Sequence, residues 1–176
     1  VLFYTKPLGI GIVTTAAKVD LVEPEAEQLA LTMMQTLNKA ARDVMVRYRV
    51  HACTDITGFG MLGHTYEMAQ GSDVQITLQV DRITFLPQAL DLARMGILPA
   101  GLYRNRSFAE AGVDVGQTEL AKQDVLFDPQ TAGGLLISVA AEDADAMETA
   151  LQKAVPACQR IGTVAPYTGG KRILLR

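Results

Sequence analysis

Across residues 74–80 apolar and polar side chains alternate without a break. Val74, Ile76, Leu78 and Val80 fall on one side and Gln75, Thr77 and Gln79 on the other. A period of two predicts a strand with one buried face, placed in an antiparallel or mixed sheet. Other stretches carry helical spacing. Pro24 suits a first helical turn, and Leu29, Met33 and Leu37 follow every four residues, with Ala30, Met34 and Ala41 widening the stripe. Asn38 is placed to cap a second helical piece carrying Ala41, Val44, Met45 and Tyr48. Phe59, Leu62, Tyr66 and Ala69 share one helical face, and Gly71 ends it. Residues 87–95 read as a helix stopped by Gly96, and Met147, Ala150, Leu151 and Ala154 as another beginning near Asp143. Residues 2–4 and 135–139 read as strands. Lys6-Pro7-Leu8-Gly9 then leads into a short helix reaching about Ala17. Residues 161–165 and 173–175 read as a terminal hairpin around Thr168-Gly169-Gly170. Residues 107–123, rich in Gly and Asp, predict irregular structure or a short helix. Strands and helices that alternate in this way predict a two-layer α/β or α+β domain. With no internal repeat and no low-complexity linker, residues 1–176 read as one domain.

Composition narrows the class. The chain has 176 residues, 49% hydrophobic and 20% charged, with a formal net charge of −3. This is a globular composition, long enough for a sizeable core. The charge gives no reason to expect a nucleic-acid or anionic-membrane partner. No apolar run approaches the roughly 20 residues that span a bilayer, and no signal peptide is visible. The expected location is cytoplasmic. The chain opens directly in a strand pattern at Val1, which fits a fragment. The two cysteines, Cys53 and Cys158, belong to no CxxC pattern and are expected reduced and buried. Cys53 shares a strand face with Asp55 if that strand is regular. His51 and His64 are too isolated for zinc; His51 falls at a strand start, and His64 on a helix with a hydrogen-bonded structural role.

The chemistry concentrates in residues 51–64, HACTDITGFGMLGH. A short apolar run ends in Asp55, turns through Thr57-Gly58 and becomes helical. Asp55 is thus predicted at the carboxyl end of a strand, with Thr57 as helix N-cap and Gly58 and Gly60 allowing close approach of a ligand. Free N–H groups at a helix start attract phosphate, and a nearby carboxylate can hold a magnesium ion that the phosphate shares. The same residues also describe an ordinary strand-to-helix turn with a solvated aspartate. Lys6 can meet a phosphate or be a solvated loop lysine. Arg104-Asn105-Arg106, after Pro99-Ala100-Gly101, reads as an anion patch or a loop of solvated charges. Asp128 is a second carboxylate, with Pro129 after it suggesting a structural turn. Gln130 and Thr131 offer hydrogen-bonding groups, and Gly133-Gly134 permit close backbone approach.

Three strings, TKPLGIGI at residues 5–12, TDITGFGMLGH at 54–64 and DPQTAGGLL at 128–136, together resemble selenophosphate synthetase (selenide, water dikinase) in wording, order and separation. The resemblance runs the whole chain and matches the family's carboxyl-terminal domain. Met61 stands where Leu is usual and Ala132 where Ser is usual. It implies a mixed sheet with helices packed against it, the fold of aminoimidazole-ribonucleotide-synthetase-like proteins. It implies an enzyme using ATP, Mg2+, selenide and water, with Asp55 as a metal ligand. Thr57, Gly58, Gly60, Asn105, Thr131 and Gly133 become cofactor-binding candidates, with no catalytic residue in this part. The family's glycine-rich loop, catalytic Lys and Cys or selenocysteine belong to an amino-terminal half that these residues lack. The fragment alone is therefore expected to fold but not to turn over, and to expose an apolar strip where the other half packs. A homodimer is implied for the full-length protein. Aminoimidazole ribonucleotide synthetase, thiamine-monophosphate kinase and the hydrogenase-maturation relative are alternatives in the same superfamily, and a non-catalytic binding or dimer-supporting module is one outside it.

Overall fold

The computed structural model describes residues 1–176. In chain order the elements are β1 (Leu2–Tyr4), α1 (Ile10–Ala17), α2 (Pro24–Gln35), α3 (Lys39–Met45), β2 (Val50–Asp55), α4 (Gly60–Gly71), β3 (Val74–Leu78), α5 (Ala89–Arg94), α6 (Ala100–Ala109), β4 (Val113–Asp114), α7 (Leu120–Phe127), β5 (Leu135–Val139), α8 (Ala144–Ala154), β6 (Gln159–Pro166) and β7 (Ile173–Leu175). The strands form one seven-stranded sheet in the order β2-β5-β1-β6-β3-β7-β4. Pairs are antiparallel except β3–β7 and β4–β7, so the sheet is mixed, as expected. No helix is long and apolar enough to cross a membrane.

Strand β1 divides the core between two layers. Leu2 and Tyr4 join Leu62 of α4, Leu92 of α5, Leu102 of α6 and Val125 of α7 on one face of the sheet. Phe3, between them, joins Val44 of α3 and Met147 and Leu151 of α8 on the other. Successive side chains of a strand point to opposite faces, so three residues serve both layers. Burying a side chain such as Leu62 or Leu102 completely stabilises the fold by about 1.5–3 kcal/mol each.

Three expectations change. The alternating strand β3 lies between β6 and β7, so the last two strands are not a hairpin. Ile76 and Leu78 are wholly buried. A strand carrying those residues belongs inside the sheet, where both its edges are paired, and residues 167–172 cross its end. The leucines of the predicted stripe do not reach the core: Leu29 on α2 is 36% exposed and Leu37, beyond the end of α2, is 77% exposed, whereas Ala26 and Ala30 are buried and Met33 and Met34 pack against the core. Alanines let a helix sit close to its neighbour, and the leucines are left outside. The Pro-Ala-Gly and Arg-Asn-Arg stretch is helix α6, capped by Pro99, not a loop. The poorly patterned residues 107–123 become the end of α6, a single 3-10 turn, β4 and the start of α7.

Candidate functional site

Strand β2 is one edge of the sheet and ends on Asp55, as the sequence predicted. His51, Cys53 and Asp55 alternate with partly buried neighbours and are all exposed. Cys53 pairs across from Ile137 and Asp55 across from Leu135, so both share the sheet face that α3 and α8 cover further in. Cys53 is therefore an exposed residue, not the buried one expected, while Cys158 is buried; both are free thiols. Surrounding atoms and then the charge of Asp55 push the Cys53 thiol up to about 11, which removes it as a ready nucleophile. The hydrogen bond that Asp55 accepts falls on its main-chain oxygen, from Thr54 Oγ1 at 3.2 Å, which leaves the carboxylate free for other partners.

The turn after Asp55 is held from outside. Ile56 N donates to Gly134 O at 2.9 Å, and Gln130 N donates to Thr57 O at 2.9 Å. The Asn105 amide Nδ2 donates to Gly58 O at 2.8 Å and to Phe127 O at 3.0 Å. The N-cap of α4 is Phe59 rather than Thr57. The Thr57 hydroxyl instead meets His64 Nε2 at 3.1 Å, and His64 Nδ1 meets Glu67 Oε2 at 3.0 Å. Gly60 adopts φ 70°, and a Cβ there would stand 2.8 Å from Phe127 O, so this glycine serves contact with the end of α7. Gly58 is exposed and faces open space.

The DPQTAGG loop locks onto the start of α1. Gln130 Oε1 accepts from Gly9 N and Ile10 N, both at 3.2 Å. Gln130 Nε2 donates to Asp128 O at 2.8 Å and Oδ2 at 2.9 Å, and Asp128 Oδ2 also accepts from Gly11 N at 2.8 Å. Asp128 is wholly buried and its Oδ1 has no partner. Burial pushes its carboxyl up to about 7. Lys6 is 5% exposed rather than solvated. Its Nζ donates to Met33 O at 2.9 Å, Thr36 O at 2.7 Å and Ala132 O at 2.7 Å. An ammonium has three protons, so none is left for a phosphate. Lys6 ties the carboxyl end of α2, where a cation also suits the helix dipole, to the loop. Gly133 is buried, with room for no Cβ because Ile56 O would lie 2.2 Å away. Its carbonyl accepts from Asn38 Nδ2 at 2.8 Å. Thr131 is exposed.

Beside the turn lies a crevice of about 570 Å³ lined by Gly58, Phe59, Gly101, Arg104, Asn105, Phe108 and Pro129. Phe59 and Phe108 stack along it, ring centroids 5.5 Å apart. Arg104 is exposed there, but Arg106 turns away to Asp124 at 2.7 Å and lies over the Phe127 ring. The expected two-arginine patch is thus a single arginine. Of the predicted site residues, Thr57, Gly58, Gly60 and Asn105 are gathered around one turn, with Asn105 only 5% exposed and its donors spent on the backbone. Gly133 supports the turn from behind, through Ile56. Asp55 stands at the head of the turn and does not line the crevice. A second groove of about 610 Å³ lies at the opposite end of β2, beside His51 and Val1, and contains none of the motif residues. Glu67 joins His64 at i, i+3 on one helix face, a spacing visible in the sequence.

Comparison with known proteins completes this description. A selenide, water dikinase from Treponema denticola is 46% identical over 155 residues, 88% of this chain and 44% of that protein. One from Clostridium botulinum (strain Eklund 17B) is 41% identical over 177 residues, 100% of this chain and 51% of that protein. The chain thus spans about half the length of the curated relatives it matches. The crystal structure of the hydrogenase maturation protein HypE in complex with ATP shares the fold at a TM-score of 0.63 and 14% identity, covering 99% of this chain and 46% of that one. Residues 1–174 match the family described as AIR synthase related protein, C-terminal domain, and the chain belongs to that family.

Proposed function

We propose that this chain is the carboxyl-terminal part of a selenide, water dikinase, which makes selenophosphate from selenide, ATP and water and releases AMP and phosphate. The observation that carries the reading is the mutual support of the three motifs: DPQTAGG holds both the Asp55 turn, through Gly134 and Gln130, and the start of α1 within TKPLGIGI. Relatives 46% and 41% identical to this chain are selenide, water dikinases.

Asp55 fits a magnesium ion, because it is an exposed hard oxygen donor at the end of a rigid strand. No three His, Cys, Asp or Glu side chains of this chain converge on one point, so the remaining ligands would come from outside these residues. Magnesium, when bound, supplies charge neutralisation on the phosphoryl oxygens. The chain's own residues hold the turn: Asn105 and Gln130 fix its carbonyls, and Gly58 leaves its surface open. Arg104 is the cation that faces the neighbouring crevice.

The test uses the full-length protein with ATP, magnesium and selenide, followed by phosphorus NMR. Selenophosphate, AMP and orthophosphate are expected. ADP without AMP assigns the protein to another activity of the superfamily. Asp55→Asn keeps the shape and removes the charge, and it lowers turnover at least roughly tenfold. Unchanged turnover and unchanged magnesium dependence remove Asp55 from the site. Residues 1–176 alone are expected to give no selenophosphate signal.

A further inference from the structure

Thr57, His64 and Glu67 form a continuous chain of hydrogen bonds that the reading above does not use. Glu67 lies one turn beyond His64 on α4, so the two side chains share a face. A carboxylate only accepts, so the 3.0 Å contact between Glu67 Oε2 and His64 Nδ1 places a proton on Nδ1. In the neutral imidazole Nε2 is then a bare acceptor, and the Thr57 hydroxyl at 3.1 Å donates to it. The sequence of groups is hydroxyl, imidazole, carboxylate. This is the order in which a base is oriented behind a hydroxyl in unrelated active sites.

Its placement matters as much as its order. Thr57 is two residues from Asp55, on the turn that the motifs hold. The His64 side chain is 13% exposed and that of Glu67 44% exposed, so the chain of groups runs from the turn outward to solvent. The Phe59 ring lies 5.4 Å from the imidazole and stacks on Phe108, screening this side of the histidine from water. Two aromatic rings and three polar groups converge here, and both ring nitrogens of His64 are engaged.

We propose that Thr57, His64 and Glu67 are a proton relay for the water that attacks phosphorus. This rests on the selenide, water dikinase reading. As the new O–P bond forms, the water O–H breaks and its proton passes to Thr57 Oγ1. The proton of Thr57 passes at the same time to His64 Nε2. The resulting imidazolium is stabilised by the Glu67 carboxylate at Nδ1. The bond from phosphorus to the nucleotide oxygen breaks with its electron pair on that oxygen. The relay then runs backwards, returning one proton through Thr57 to a solvent water on the attacking side, while the departing oxygen, opposite in line, leaves as the phosphate oxyanion of AMP. No proton or electron is gained or lost by the protein over the cycle, and the starting tautomer is restored.

The experiment compares the full-length protein with its His64→Gln and His64→Ala variants, reading AMP and phosphate release, KM for ATP and thermal melting. Gln can keep the hydrogen bond from Thr57 but cannot carry the proton. Both variants are expected to lose roughly 100-fold or more in kcat, with KM for ATP unchanged and melting close to the parent. Free imidazole is expected to restore part of the activity of His64→Ala. A His64→Gln variant with parental kcat overturns the relay and leaves the dikinase reading standing. A parent that releases no AMP and phosphate overturns both. The chain has two histidines, His51 and His64, so nitrogen NMR of the histidine-labelled parent reads the tautomer independently of folding in the variants. A protonated Nδ1 and bare Nε2 on His64, with Nε2 shifted in Thr57→Val, are expected; a neutral His64 carrying its proton on Nε2 overturns the proposal.

Discussion

Gly11 packs so closely on Asp128 that a Cβ at Gly11 would stand 2.4 Å from the carboxyl Oδ1 and 2.6 Å from Pro129 O. The contact joins the first motif to the third, 117 residues away. Gly11→Ala must displace either the buried carboxyl or the backbone after it. Overpacking of this kind costs about 1–3 kcal/mol, so the variant should unfold at lower urea concentration. A midpoint equal to the parent's would show that the loop has slack.

Asp128 makes stability depend on pH in an unusual direction. Its carboxyl is raised from 3.8 to about 7 by burial, against the smaller pull of its hydrogen bonds to Gln130 and the main chain. Between those values the folded protein keeps a proton that the unfolded chain has released. This contribution is fully present below pH about 4, falls as pH rises and is gone above about 7, on the order of 4 kcal/mol in all. Asp128→Asn stays neutral throughout. Denaturation at pH 4.5 and 7.5 should show a smaller loss of stability on raising the pH in the variant than in the parent.

Asn105 is a strut between the Gly58 turn and the end of α7. Asn105→Ala leaves two carbonyls without donors and should cost about 1–3 kcal/mol. Asn105→Asp should be worse than Ala, because a carboxylate would face the Gly58 and Phe127 oxygens with no proton to offer. Melting temperatures ordered parent, Ala, Asp test this; an aspartate variant as stable as the alanine one contradicts it.

Lys6→Met retains the aliphatic stem but withdraws all three donors from Met33, Thr36 and Ala132. Stability should fall by at least about 2 kcal/mol, read by urea denaturation. A variant that melts like the parent would mean that water replaces the ammonium without loss.

What the sequence made legible was local. The β3 alternation, the strand ending on Asp55 and the Gly96 stop each depend on neighbours a few residues apart, and all stand in the structure, although β3 stops at Leu78 and Val80 opens a 3-10 turn. Lys6 and Gln130 were not legible, because Lys6 holds carbonyls 27, 30 and 126 residues away and Gln130 accepts from Gly9 121 residues away, and spacing says nothing of that. The turn signal at Thr168-Gly169-Gly170 was real, but whether two strands meet across a turn depends on whether a third comes between them. The Leu29 stripe misled because the core took the alanines and methionines of this segment and left its leucines outside. The Asp55 turn was found by its wording, whereas its supports, Asn105 to Gly58 and Gln130 to Thr57, are tertiary.

The supports of the turn have a consequence for how the protein is made. Chains emerge from the ribosome amino terminus first and gain structure as they lengthen. Asp55 and Thr57 are synthesised early, yet the groups that fix their turn come later: Asn105 lies 47 residues beyond Gly58, Gln130 73 beyond Thr57 and Gly134 78 beyond Ile56. Strand β2 has no partner at all until β5 appears. Contacts of such long sequence separation form slowly. During synthesis the motif richest in chemistry is therefore a free edge waiting for its neighbour, and the site exists only once Gly134 has left the exit tunnel and β5 has docked.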